Sequence, residues 1–183
     1  MFECVQFVQY IMDIRFELGN SLMVSGPSKA GKTSWVVKLI KYRDELFQEG
    51  KENINKIYWF HGTWQPTYDT LRREYNIILQ NGISESEANE IEPKSIVVID
   101  DLVKETENSA HVTALFTRQV HHSKLFLIYI NQNFFHQSRE ARMRHLNCHF
   151  IVLFKNPRDK TQPAILAKQM FPDRSPKEFV IVW

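Results

Sequence analysis

The chain is poor in cysteine. Only Cys4 and Cys148 occur in 183 residues, too few for a disulfide framework, which points to a reducing compartment. It also lacks long apolar runs. Nothing approaches the roughly eighteen consecutive apolar residues that a membrane-spanning helix needs, so no membrane partner is expected. The opening segment, MFECVQFVQYIMDIRFELGN, carries Glu3 early and has no basic flank before its apolar residues. It is a poor export signal, and an intracellular protein is expected rather than a secreted one. Internal repeats and low-complexity linkers are absent as well. The length fits one domain over residues 1–183, with 1–13 as a lead-in. The chain stops on Trp183 just after a strand begins, which suggests a missing terminal piece.

Acidic residues are scarce in the second part of the chain. Residues 1–117 hold 12 Lys/Arg against 17 Asp/Glu, a net of −5, whereas residues 118–183 hold 11 against 4, a net of +7. A basic half is what a polyanion-binding face requires, although the same residues could solvate several faces.

What is present is concentrated first in Gly26-Pro27-Ser28-Lys29-Ala30-Gly31-Lys32-Thr33-Ser34. This is G-x-x-x-x-G-K-T, the Walker A phosphate-binding loop. Leu22, Met23 and Val24 precede it as a buried strand should. Trp35, Val36, Leu39, Ile40, Leu46 and Phe47 follow at helical spacing, predicting a helix to about Glu49 that Gly50 stops. Glycines let successive N–H groups turn inward toward phosphate oxygens, and the new helix adds its positive end. Lys32 is placed to reach the β and γ phosphates, and the Thr33 hydroxyl to hold Mg²⁺. ATP and Mg²⁺ are therefore the expected cofactors.

The second concentration is Ile96-Val97-Val98-Ile99-Asp100-Asp101, a Walker B pattern. A buried parallel strand of this kind delivers carboxylates to the sheet edge where ligands bind. Asp100 is the candidate to hold Mg²⁺ through water beside Thr33, and Asp101 the group that orients or activates the attacking water. A third apolar run, Leu125–Ile130, ends in Asn131-Gln132-Asn133. An amide there can sense the γ-phosphate, or it can satisfy turn backbone.

Further strands are expected at Phe16–Leu18, Ile57–Phe60, His149–Phe154 and Phe179–Val182. Helices are expected at 67–75, 108–120, 138–146 and 161–170. Asn81-Gly82 reads as a turn, and Glu85, Glu87, Glu90 and Glu92 as a solvated acidic segment. The fold class these elements define is α/β: a P-loop NTPase with a mostly parallel sheet flanked by helices.

The pieces Gln132-Asn133-Phe134-Phe135-His136-Gln137, Leu146-Asn147-Cys148-His149 and Phe154-Lys155-Asn156-Pro157-Arg158-Asp159, with Trp64-Gln65-Pro66 after the second strand, resemble one family. It is the FtsK–HerA class of DNA-pumping ATPases, and within it the genome-packaging ATPases of Polinton (Maverick) elements, adintoviruses and related large DNA viruses. The resemblance covers roughly residues 14–175. It implies a ring, pentameric or hexameric, that drives double-stranded DNA into a capsid, with a capsid or portal protein as a further partner. It places such a protein in an infected or host cell, in nucleus or cytoplasm, or on the virion. It implies that Gln132 is the strand-tip sensor and that an arginine finger acts in trans from between the Walker B strand and that tip, where Arg118 stands. Two positions depart from the family: Asp101 replaces the Glu usual across the wider class, and Asn131 stands where a small hydroxyl residue is common.

Other readings use other residues. A nucleoside or nucleotide kinase would use Arg139, Arg142 and Arg144 as a phosphate-clamping lid. A GTPase would use Asn156 and Asp159, but Pro157 stands where the guanine-reading motif wants Lys, and no Asp-x-x-Gly follows Asp101. His136, His145, Cys148 and His149 have zinc-ligand chemistry at no standard spacing. A degenerate copy would bind ATP and assemble with little turnover.

Overall fold

The computed structural model describes residues 15–48, 50, 53–102, 106, 108–135, 138–159 and 161–173. Six strands form one sheet: β1 (Ser21–Ser25), β2 (Ile57–His61), β3 (Ile78–Asn81), β4 (Ile96–Asp100), β5 (Phe126–Asn131) and β6 (Phe150–Leu153). Their spatial order is β3-β2-β4-β5-β1-β6. Among the described residues every neighbouring pair is parallel. The sequence reason is that β1, β2, β4 and β5 are apolar without alternation, as strands covered on both faces must be.

Alternate residues divide between two layers. Leu22, Val24, Trp59, Ile96, Val98 and Ile128 face α1 (Lys32–Lys41) and α3 (Thr67–Tyr75), which contribute Val36, Leu39, Ile40, Tyr68 and Leu71. Met23, Phe60, Val97, Ile99, Leu127 and Tyr129 face the opposite layer, which contributes Val112, Leu115, Phe116, Val120 and Leu166.

Three elements differ from the sequence expectation. The helix after the loop stops at Tyr42, and a short α2 (Arg43–Leu46) follows, so it does not run to Glu49. The break lets Phe47 turn into the core, where its ring meets Phe126 edge-on at 4.8 Å and Phe16 at 5.6 Å. The strand expected at Phe16–Leu18 is only a bridge between Phe16 and Phe47, held by Phe16 N–H to Leu46 O at 2.7 Å and Gln48 N–H to Phe16 O at 2.9 Å. Strand β3 has no counterpart among the expected strands. It is a half-buried edge strand with a weak apolar signal, and its pairing with β2 defines it.

The acidic segment is a solvated helix, α4 (Glu85–Asn89). Ser84 and Glu87 close a capping box at its start, and those bonds hold the Glu87 carboxyl below the ordinary range. The helix expected at 108–120 begins later, as α5 (Ala110–Ala114). It passes through a π-helical turn (Leu115–Gln119) and finishes as α6 (Val120–His122). Ser109 caps it through Val112 N–H at 3.2 Å. α7 (Arg139–Leu146) and α8 (Thr161–Met170) occupy the expected places. The lead-in 1–13, Cys4, His136, Gln137 and the strand expected at 179–182 lie outside the described residues. Among the described residues no helix is long and apolar enough to cross a membrane.

Phe126 is fully buried between Phe16 and Phe47. Phe126→Ala should cost about 3–5 kcal/mol through lost transfer energy and the cavity left behind. Denaturant melts should show that loss. An unchanged midpoint would mean this aromatic cluster does not hold the first segment to the sheet.

Candidate active site

Parallel pairing brings the strand ends to one edge. Ser25 lies in register with Asn131, and Asp100 in register with both Ile130 and His61. The loop from β1 begins where Gly26 passes under the residue that follows β6. A Cβ on Gly26 would sit 2.5 Å from Phe154 Cβ, so only glycine fits. Lys29 (φ 63°) and Gly31 (φ 94°) adopt left-handed conformations that turn the chain into α1. Lys32 folds back over the loop and donates from Nζ to Gly26 O at 2.7 Å and Pro27 O at 2.8 Å. Burial draws its ammonium below the ordinary lysine range, while Asp100 and Asp101 pull in the other direction.

Asp100 is 2% exposed. Its Oδ2 accepts from Thr33 Oγ1 at 3.2 Å and from the buried Tyr68 hydroxyl at 2.9 Å. Burial raises the Asp100 carboxyl above its ordinary range, against the opposing effect of those two hydrogen bonds. The Tyr68 hydroxyl is likewise pushed upward, by burial first and then by the neighbouring carboxylate. Asp101 is exposed and takes a left-handed backbone, φ 55°. Gln132 Nε2 donates to its Oδ1 at 3.0 Å. Gly62 packs against the same turn: its N–H bonds Asp100 O at 3.1 Å, and a Cβ there would lie 2.6 Å from Asp101 O.

One cavity of about 400 Å³ opens among these groups, lined by residues 28–34, Gln65, Asp100, Asp101 and residues 130–132. Of the expected residues, Ser28, Lys29, Ala30, Gly31, Lys32, Thr33, Ser34, Asp100, Asp101 and Gln132 meet there. Gly26 and Pro27 lie behind the loop and hold Lys32 by their carbonyls. Arg118 is exposed on the π-helical turn and does not line the cavity. The donor set suits Mg²⁺: a hydroxyl and a carboxylate converge, as for an ion completed by water and phosphate rather than by a protein cage. Among the described residues no group of three His, Cys, Asp or Glu could hold a metal alone.

Sequence reasoning misses Tyr68, Gln65 and Gly62 as parts of this site. Tyr68 lies on an expected helix, but its hydroxyl reaches Asp100 only because β2 and β4 are neighbours in space. Asn131, which the sequence marks only as a departure, is buried in the cavity wall with an Oδ1 that has no hydrogen-bond partner.

Several of the rival residues are otherwise engaged, although Arg139 and Arg142 are exposed on α7. Arg144 is 2% exposed, donates to Thr106 O at 2.9 Å and Thr113 Oγ1 at 3.1 Å, and lies over the Tyr129 ring, so it is no lid residue. Asp159 accepts from Thr161 N–H at 2.9 Å and Gln162 Nε2 at 2.7 Å, at the start of α8. Asn156 accepts from Arg158 N–H, so both side chains are bonded within their own turn. Of the zinc candidates, Cys148 donates to Phe150 O, His149 pairs with Ser21, and His145 packs on Phe134.

The strand order, the loop and the opposed carboxylate define a P-loop NTPase fold. No family model matches the chain, and no curated protein sequence matches it. Solved structures do. The chain is similar to the genome packaging NTPase B204 from Sulfolobus turreted icosahedral virus 2, in complex with ATP-gammaS, at TM-score 0.54 and 12% identity over 88% of this chain and 86% of that one. It is similar to a second solved ATPase domain at TM-score 0.51 and 11% identity, over 81% of this chain and 75% of that one. At such identities the likeness is one of fold.

Two substitutions test the geometry. Asp100→Asn should raise the melting temperature at pH 7, because it removes a charge that burial opposes, yet abolish metal-dependent nucleotide binding. A carboxyl raised in the fold takes up its proton at higher pH folded than unfolded, so the wild type gains stability as pH falls, and the gap should close on acidification. A variant less stable than wild type at every pH contradicts this account. Gly62→Ala should displace Asp101 and lower turnover about a hundredfold while sparing nucleotide affinity. Equal losses in both would place the damage in the loop instead.

Proposed function

We propose that this chain is an Mg²⁺-dependent ATPase that moves double-stranded DNA, working as a homo-oligomeric ring of five or six copies that packages a viral or virus-like genome into a capsid. The observation that carries the reading is the single cavity in which the loop 28–34, Asp100, Asp101 and Gln132 meet. The basic balance of residues 118–183, the similarity of the 131–159 segment to packaging ATPases, and the fold shared with a viral genome packaging NTPase support the DNA substrate. A capsid or portal protein is the further partner this reading implies.

In this mechanism the backbone N–H groups of residues 28–33 and the Lys32 ammonium hold the phosphates. Lys32 exchanges its two loop carbonyls for phosphate oxygens, because a bond between opposite charges is stronger than one to a neutral acceptor. Thr33 and Asp100 would hold Mg²⁺, which would supply charge neutralisation at the phosphates. Asp101 orients the attacking water, and its bond to Gln132 ties that orientation to the tip of β5. Arg118, exposed and outside its own cavity, serves a neighbouring copy, a contribution on the order of 10³–10⁵ in rate for such a finger. The kinase reading loses one of its three clamp arginines, because Arg144 is committed to the interior, while Arg139 and Arg142 stay exposed on α7.

The test is steady-state ATP hydrolysis with and without long duplex DNA, with Lys32→Ala as the blank. Stimulation that weakens steeply with salt is expected. DNA-independent turnover that rises with a nucleoside or nucleotide acceptor would replace the motor by a kinase, and binding without turnover would indicate a degenerate copy. Arg118→Ala should inactivate the assembled form and leave monomer affinity for ATP unchanged. A loss of affinity instead removes the in-trans role.

A further inference from the structure

We infer that Tyr68 is a positioning residue for the metal-holding carboxylate, its hydroxyl fixed by the aromatic rings packed around it. This rests on the reading of Asp100 and Thr33 as the Mg²⁺ site and adds a residue to it. Tyr68 is completely buried on α3, and its hydroxyl is 2.9 Å from Asp100 Oδ2, the same oxygen that Thr33 meets at 3.2 Å. Two donors therefore converge on one carboxylate oxygen from two different elements. The ring has little freedom to move. His61 lies 4.9 Å away, Trp64 meets it edge-on at 5.6 Å, and Trp59 stands at 5.7 Å on the third side.

The chemistry assigns a direction. A carboxylate free to rotate can turn either oxygen toward Thr33, or neither. One whose Oδ2 is tied by a buried phenol presents the other oxygen in a constant direction. Partners that orient a ligating carboxylate typically govern about 10–100-fold in metal affinity. Tyr68 does not itself line the cavity, whereas Asp100 does, so its influence on a bound ion must pass through that carboxylate.

The experiment measures binding of a fluorescent ATP analogue to the full chain as Mg²⁺ is varied, with EDTA as the metal-free limit, for wild type and Tyr68→Phe. Phenylalanine keeps the ring contacts and removes only the hydroxyl. The expected result is a half-saturating Mg²⁺ concentration raised about tenfold, with affinity in EDTA unchanged. In an Asp100→Asn background the same substitution should have no effect on binding. Identical Mg²⁺ curves for wild type and Tyr68→Phe would overturn the inference while leaving the ATPase reading intact. So would an equal loss of affinity in EDTA, which would make Tyr68 a residue that shapes the pocket. Wild-type binding that ignores Mg²⁺ altogether would instead overturn the metal assignment on which both rest.

Discussion

A carboxylate buried at the end of the central strand is the constraint to which the rest of the site answers. Asp100 is held away from water, and its ionised form is penalised there. Two hydroxyls offset part of that penalty, one from the loop helix and one from α3. Each must arrive on a rigid element, because a mobile donor would leave the charge uncompensated. The parallel sheet supplies that rigidity. It sets β4 between β2 and β5 and brings α1 and α3 over the same face. Stability is thus given up locally at Asp100, where charge is useful, and recovered in the apolar layers beneath.

The neighbouring residue meets different conditions. Asp101 is exposed and has a left-handed backbone, and it reaches across to Gln132. Adjacent acids in the sequence thereby acquire separate surroundings, one dry and hydroxyl-bonded, the other wet and amide-bonded. The proposed division between holding an ion and orienting water rests on that difference. Gly62 secures it, since its lack of a side chain leaves room for the Asp101 carbonyl.

Glycine and aromatic residues have complementary parts around the loop. Gly26 admits Phe154 at a distance no side chain would tolerate, which pins the loop between β5 and β6. Phe47, Phe126 and Phe16 fill the layer beneath α1 and explain why that helix breaks at Tyr42. His61, Trp64 and Tyr68 pack edge-on and tilted against one another beside Asp100. The nucleotide loop and the carboxylates are therefore braced from both sides by rings whose packing has no direct part in the chemistry.

The local chemistry of the site is legible in the chain itself. Gly26 through Thr33, the apolar run ending in Asp100-Asp101, and the strand ending at Gln132 each carry their meaning in consecutive residues. Strand, loop and helix there are set by short-range patterning and by glycine at positions that need it. Edge strand β3 and the break at Tyr42 are not legible, because each is a response to a distant partner: β2 for the first, and Phe16 and Phe126 for the second. The same holds for Tyr68, Gly62 and the burial of Arg144. Their roles depend on which strands become neighbours, and strand order is a property of the packed sheet that no stretch of sequence expresses alone.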